Sequence, residues 1–311
     1  MSALTIAMYH YVRDLERSRF PAIKGRRVSD FKAQLEHIAS HYQVVTAQQV
    51  MDAVQRIEPL PPNALWLTFD DGYIDHYMNV VPVLHERGWQ GAFFPPSRAV
   101  ANGELLDVNK IHFLLAATGS VAPLVEAIRV FVAEHAQRGE TRAFEEYWAE
   151  YARASRYDPA DVIFVKRVLQ HALPAVLRRQ LTDILFARFV TGDQRAFAQE
   201  LYLSPGQLQT MIGMGHYVGS HGARHEWLDS FDAVQQAQDV DESLSFLTAI
   251  GAPTDKWVMC YPYGGYNETL LDIVRRRGCV CGITTRVAIA DLAADGPLEL
   301  PRLDTNDIPL A

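Results

Sequence analysis

Ala64-Leu65-Trp66-Leu67-Thr68-Phe69-Asp70-Asp71-Gly72 is the stretch that decides the fold. Ala64–Phe69 reads as a short strand buried on both faces, punctuated upstream by Pro59, Pro61 and Pro62. Two acids and a glycine follow it at once. In parallel α/β folds, functional groups collect at the carboxyl ends of the strands. Two neighbouring carboxylates do not both ionise readily unless one of them faces a cation. A metal ligand beside a free general base resolves that conflict. Taken alone, the string fits a helix-capping Asp followed by a turn Asp equally well.

The same texture extends outward on both sides. Leu4–Tyr11 reads as a buried strand, and Phe31, Leu35, Ile38 and Ala39 recur at helical spacing with Ser29 or Asp30 placed to cap the helix. Val44-Val45 starts a short strand and Ala47–Ile57 a second helix. Asn79–Glu86 is read as a helix ended by Gly88, and Gly91–Phe94 as the next strand. After residue 210 the pattern resumes with strand Tyr217–Ser220, helix Asp232–Ile250, strand Trp257–Tyr261, helix Glu268–Arg277 and strand Cys279–Thr284. Strands alternating with helices imply parallel strands joined by crossover helices. Between 103 and 210 strand-like runs nearly vanish, and apolar residues recur at helical spacing, as in Leu124, Ile128 and Phe131 or Leu181, Leu185 and Phe189. The expected organisation is an α/β domain over 1–102 and 211–311 with a helical insertion over 103–210. The insertion is read as packed beside or over the main domain, either as a pocket wall or lid or as a packing surface.

Composition excludes several classes. The 311 residues are 49% hydrophobic and 21% charged, as in an ordinary folded protein. A net charge of −8 argues against nucleic acid as a partner, and the runs Lys24–Arg27 and Arg275–Arg277 fit solvated loops or helix ends. Met1–His10 has no basic segment leading into a long apolar one, and no apolar run reaches transmembrane length. The expectation is a cytoplasmic protein without a transmembrane segment. Three cysteines make no disulfide framework. Cys279 and Cys281, two apart on a predicted strand, are expected to share one face as buried structural thiols.

Two further strings stand at predicted strand ends. His221 and His225 are four apart, so on a helical turn both imidazoles project from one face and share a cation. One carboxylate and two imidazoles make a three-ligand site with room for water, the open arrangement of catalytic metals. The spacing lacks the internal Glu of the HExxH proteases, so the base comes from elsewhere. Cys260-Tyr261-Pro262-Tyr263-Gly264-Gly265 forms a shaped turn suited to presenting a backbone N–H to an oxyanion.

Together and in this order, the three strings resemble the polysaccharide deacetylase family, also called the NodB-homology or family 4 carbohydrate esterases. Thr68–Gly72 matches its TFDDG motif in full. His221 and His225 match its H[ST]xxH motif with Gly222 in place of Ser or Thr, and Pro262-Tyr263-Gly264 matches the end of its third motif. Met8-Tyr9-His10-Tyr11 and Leu300-Pro301-Arg302 also look like members of the family. The resemblance spans roughly 1–102 and 211–303. It implies a distorted (β/α) barrel of about seven strands. It further implies a divalent metal, often zinc, on Asp71, His221 and His225. Asp70 is then the base that deprotonates the attacking water, and the Tyr263 backbone N–H stabilises the oxyanion. Two positions depart from the pattern. Cys260 stands where many members carry an arginine that holds the base, and no His follows His225 to protonate the leaving amine. His10 is the preferred candidate acid, Arg302 or Arg286 the replacement for the arginine, and Asp291 an orienting acid or part of a surface loop.

The implied function is metal-dependent N-deacetylation of a carbohydrate bearing an N-acetyl group. A nucleotide-linked or lipid-linked sugar or a short glycan in surface-polysaccharide or lipopolysaccharide biosynthesis is favoured. Hydrolysis of another amide, a formamide or cyclic imide, and a catalytically silent carbohydrate-binding homologue are the alternatives.

Overall fold

Seven short strands carry the main sheet: β1 Ala3–Tyr9, β2 Ala64–Asp70, β3 Ala92–Phe94, β4 Tyr217–Val218, β5 Trp257–Cys260, β6 Cys279–Val287 and β7 Leu300–Asp304. The structure is a computed structural model that describes residues 3–155 and 158–311. Met1 and Ser2, part of the stretch read for a leader, and Arg156 and Tyr157 of the insertion lie outside the described residues. Strand order is β4-β3-β2-β1-β7-β6-β5 with every neighbouring pair parallel. The two ends approach through Ser220. Its N–H donates to the Val258 carbonyl at 3.1 Å, and its carbonyl accepts from the Cys260 N–H at 2.8 Å. Each strand therefore lies beside the next one in sequence around the whole circuit. The distorted seven-stranded α/β barrel expected from the resemblance is the fold observed.

Alternation along the strands explains the two layers. Leu4 and Ile6 of β1, Trp66 of β2, Phe94 of β3, Tyr217 of β4, Val258 of β5, Cys281 and Ile283 of β6 and Leu300 of β7 gather in one cluster inside the curl. Leu65, Leu67 and Phe69 of β2 point the other way, against Phe31, Leu35 and Ile38 of the helix Val28–His41. The inward parity of Trp66 continues through Thr68 to Asp70, which sets Asp70 at the carboxyl rim of the interior.

The chain divides into two units. Met1–Asp14, Gly25–Glu104 and Ala198–Ala311 form the barrel unit, and Leu15–Lys24 with Leu105–Phe197 the helical one. The boundaries read from sequence shift accordingly. The segment from Ala198 to Thr210 belongs to the barrel unit, where the Leu203 N–H donates to the Gly72 carbonyl and the Tyr202 ring stacks on Tyr73. Within the helical unit, Leu124, Ile128 and Phe131 are buried along the helix Ala122–Gln137, and Lys110 is buried against Asp107 and Asp183. Among the described residues, no helix is long and apolar enough to cross a membrane.

Other expectations are corrected locally. The helix predicted from Phe31 begins at Val28, and its N-cap, Arg27, makes no side-chain capping bond, so neither Ser29 nor Asp30 caps it. The strand read as Leu4–Tyr11 ends at Tyr9, which releases His10 from the ladder. The helix read from Asn79 starts earlier as a π-helical turn, His76–Val80, running into Val81–Glu86. Cys279 and Cys281 are buried but not on one face. A bulge sets them opposite the consecutive residues Trp257 and Val258, so one thiol packs with Trp257 and the other with the interior cluster.

Candidate active site

Asp70 and Asp71 would face opposite sides if the strand simply continued. It does not: Asp71 takes a left-handed φ of 71° and Gly72 one of 66°. A Cβ at Gly72 would lie 2.7 Å from the Pro95 Cβ, so this turn requires glycine. The turn brings the second carboxylate round to the side of the first. Five non-glycine residues among those described have positive φ, and three are Asp71, His225 and Tyr263. Strain of this kind, about 1–3 kcal/mol each, persists where surrounding bonds over-determine it.

His221 and His225 do not sit on a helical turn. The segment after β4 is a loop in which Gly222 has φ 67° and His225 φ 54°. Buried Asp239, from the helix Ala233–Ala249, shapes this loop. Its carboxylate accepts the Ala223 N–H at 2.7 Å and the Arg224 N–H at 3.2 Å. Ser243, on the same helix face, meets the Ser220 hydroxyl at 2.7 Å. A Cβ on Gly222 would lie 2.8 Å from the Asp239 Oδ1, which accounts for glycine where the family motif has Ser or Thr.

The loop turns both imidazoles onto Asp71. His221 Nε2 lies 3.4 Å and His225 Nε2 3.1 Å from the Asp71 Oδ1. That oxygen is buried, yet neither ring nitrogen is aligned to hydrogen-bond with it, and it has no hydrogen-bond partner. The ligand atoms of the three residues all lie within 4.8 Å of one another. Two other atoms of the set are already committed, while the His225 Nδ1 is buried without a hydrogen-bond partner. His221 Nδ1 donates to the Cys260 carbonyl at 2.7 Å, leaving its Nε2 as a lone-pair donor, and the Tyr73 hydroxyl donates to the Asp71 Oδ2. An orphaned carboxylate oxygen converging with two oriented imidazoles fits a divalent cation, and the nitrogen–oxygen donor set suits zinc.

Asp70 is held separately. Arg302 of β7 grips it in a two-pronged pair, Nη1 to Oδ1 at 2.9 Å and Nη2 to Oδ2 at 2.8 Å, with both side chains nearly fully buried. The Arg302 Nε donates to the Thr284 carbonyl at 2.8 Å. Burial alone would push the Asp70 carboxyl up, but the charge of Arg302 and its hydrogen bonds outweigh it and hold the group below the usual carboxylate range. Of the two arginines considered from sequence, Arg302 occupies the place, whereas Arg286 pairs with Asp295 at 2.6 Å. Cys260 contributes its carbonyl to His221 rather than a charge to Asp70. Asp291 is exposed in the short strand Ala290–Asp291 that pairs with the start of β1, at Ala3 and Leu4, whereas Asp70 aligns with Phe94 at the carboxyl end of its own strand.

His10, just past β1, sets its Nε2 4.0 Å from the Asp70 Oδ2, with its side chain 40% exposed. Tyr263 stands edge-on to His225 and stacks flat on Trp227, with centroids 4.8 Å apart and planes 7° off parallel. Sequence reading missed Tyr73, Trp227 and Asp239. A signal for the last existed: Gln236, Asp239 and Ser243 fall at helical spacing within the buried stripe of their helix.

Fold and site define a class: an α/β barrel whose strand ends bring a metal-compatible Asp-His-His cluster beside an arginine-held carboxylate. The profile of the family described as Polysaccharide deacetylase matches residues 58–121 and 170–282, more than half of the chain. The chain belongs to that family. Poly-beta-1,6-N-acetyl-D-glucosamine N-deacetylase of Escherichia coli (strain K12) is 34% identical over 88 residues, covering 28% of this chain and 13% of that relative's length. Among solved structures, the Streptococcus pyogenes deacetylase PplD in complex with acetate superposes with a TM-score of 0.59 at 17% identity, covering 97% of this chain and 92% of that one. IcaB from Ammonifex degensii gives 0.56 at 18% identity, covering 98% and 92%. At such identities the structural likeness speaks for the fold.

Proposed function

We propose that the chain is a metal-dependent N-deacetylase of a carbohydrate carrying N-acetylglucosamine-type residues. The observation that carries the reading is the partnerless buried Oδ1 of Asp71 facing two imidazoles, next to a second carboxylate that Arg302 keeps ionised. A divalent cation held by Asp71, His221 and His225 supplies Lewis-acid polarisation of a carbonyl and makes water more acidic.

The chain's own groups carry the protons. Asp70, anionic and oriented by Arg302, accepts one proton from water as the new C–O bond forms. The backbone N–H of Tyr263 donates to the oxygen that gains charge, a contribution of about 3 kcal/mol for a well-aimed donor. His10, protonated, gives one proton to the amide nitrogen as the C–N bond breaks. Water and amide thus become acetic acid and amine, which ionise to acetate and ammonium by passing one proton from acid to amine, and the proton on Asp70 recharges His10 through solvent. The Trp227–Tyr263 pair offers a flat aromatic wall beside His225, suited to the apolar face of a sugar ring.

The name of the Escherichia coli relative supports a β-1,6-linked N-acetyl-D-glucosamine polymer as substrate, and the sequence reading supports a nucleotide-linked or lipid-linked sugar or a short glycan in surface-polysaccharide biosynthesis. The test measures amine release from β-1,6-linked N-acetylglucosamine oligomers and from a nucleotide-linked N-acetylglucosamine, with metal content determined in parallel. Asp70→Asn is the control. Turnover that requires both Asp70 and the metal is expected. Stoichiometric metal with no amine released from either substrate would sink the deacetylase reading.

A further inference from the structure

The motif that supplies Asp70 and Asp71 runs directly into Asp75-His76-Tyr77-Met78-Asn79, and three of these side chains reach back to one short segment. Asp75 accepts the Arg13 guanidinium through two bonds, 2.7 and 3.0 Å. His76 Nε2 lies 2.9 Å from the His10 carbonyl oxygen, and Asn79 Nδ2 donates to the Val12 carbonyl at 2.8 Å. A carbonyl only accepts, so His76 carries its proton on Nε2. Its Nδ1 is buried without a hydrogen-bond partner, so this fully buried ring is anchored through the bond to His10. Burial pushes the ring down to about 4, against the smaller pull of the His10 carbonyl, which keeps it neutral and the proton in place. The Tyr11 ring stacks on Tyr73 at 4.0 Å, and the Tyr73 hydroxyl holds Asp71. The π-helical turn His76–Val80 presents these groups, a local widening that recurs at functional sites.

Nothing in the strand ladder holds His10, because β1 ends at Tyr9. We propose that Asp75, His76 and Asn79 are positioning residues. They clamp the His10–Arg13 segment to the metal-ligand motif and thereby set the His10 imidazole on the leaving-group side of the site. This rests on the reading of His10 as the acid. The clamp makes the two ends of the reaction mechanically one piece: the same turn that aims Asp71 also fixes the backbone of the proton donor.

The experiment compares two substrates that differ in their need for a proton donor. An N-acetylglucosamine oligomer has an amine leaving group that must be protonated, whereas 4-nitrophenyl acetate has one that leaves as an anion. His76→Leu is expected to lower kcat on the amide about tenfold, part of the 10²–10⁴-fold a general acid supplies, with KM, metal content and ester kcat within about twofold of wild type. His76→Gln, whose amide N–H replaces the Nε2–H, is expected to recover the amide rate to within about threefold. Equal losses on both substrates, or an amide rate within about twofold of wild type in His76→Leu, overturn the clamp. Should His76→Leu fail to fold, Asn79→Ala is read the same way: an amide-only loss supports the clamp, and an equal loss or none overturns it. A wild-type chain that cleaves the ester but no amide is a different result, which overturns the reading of function and the clamp with it.

Discussion

Replacing Arg302 with methionine keeps most of the side-chain volume but deletes both bonds to Asp70 and the bond to the Thr284 carbonyl. Asp70 is then a carboxylate 2% exposed with its principal counter-charge gone. Removing one partner of a buried ion pair costs about 3–5 kcal/mol, because the other charge stays buried and uncompensated. If that is the origin of the loss, Asp70→Asn in the same background relieves it, and the double variant is more stable than Arg302→Met alone by about 2 kcal/mol. Arg302→Lys, which keeps the charge but not the planar fork, falls between wild type and Arg302→Met. Urea unfolding followed by tryptophan fluorescence measures the wild type and the four variants, Asp70→Asn alone included, with a chelator present so that metal binding contributes nothing. A single-variant cost below about 1 kcal/mol refutes the reasoning. So does a double variant as unstable as the sum of the two singles, since the charge of Asp70 would then not be what Arg302 offsets.

Alanine at Asp71, His221 or His225 is expected to abolish stoichiometric metal binding while the fold is retained; bound metal unchanged in Asp71→Ala excludes that ligand. Gly222→Ser restores the family residue but forces a side chain into φ 67° with a Cβ 2.8 Å from the Asp239 carboxylate. It should cost about 1–3 kcal/mol and weaken metal binding, and an unchanged melting temperature and metal affinity would contradict it. His76 is held at about 4 in the folded chain against the ordinary value of 6.5. The unfolded chain therefore binds the extra proton first. Stability from this group is complete above pH 6.5 and is lost as the pH falls toward 4, by roughly 3 kcal/mol. Unfolding free energies measured across that range should slope less in His76→Leu than in wild type, and parallel slopes would reject the assignment.

Much of this was legible in the linear chain because the physics involved is local. Ala64–Phe69 is uniformly buried, and its composition alone requires cover on both faces. The acids at its end, the paired histidines and the Pro-Tyr-Gly turn each stand at a strand terminus, and parallel α/β topology brings such termini to one rim. Loop conformation was less legible. Four-residue spacing suggested a helical turn for His221 and His225, but the glycine at 222 and the Asp239 carboxylate bend the segment into a loop that achieves the same convergence differently. Bulges were invisible as well, so the two thiols at Cys279 and Cys281 parted onto different faces.

The sequence by itself determined which residues make up the candidate site: two adjacent acids, two histidines and a Pro-Tyr-Gly turn, recognisable because each motif is a few residues long. Only the tertiary structure decided what holds them. Arg302 meets Asp70 across 232 residues of chain, and Arg286, equally basic and nearer in the sequence to the motif it was to complete, pairs elsewhere. The physical reason is that closing the seven strands sets β7 next to β1 and turns the Arg302 side chain inward, where the only stable place for a buried guanidinium is against a buried carboxylate.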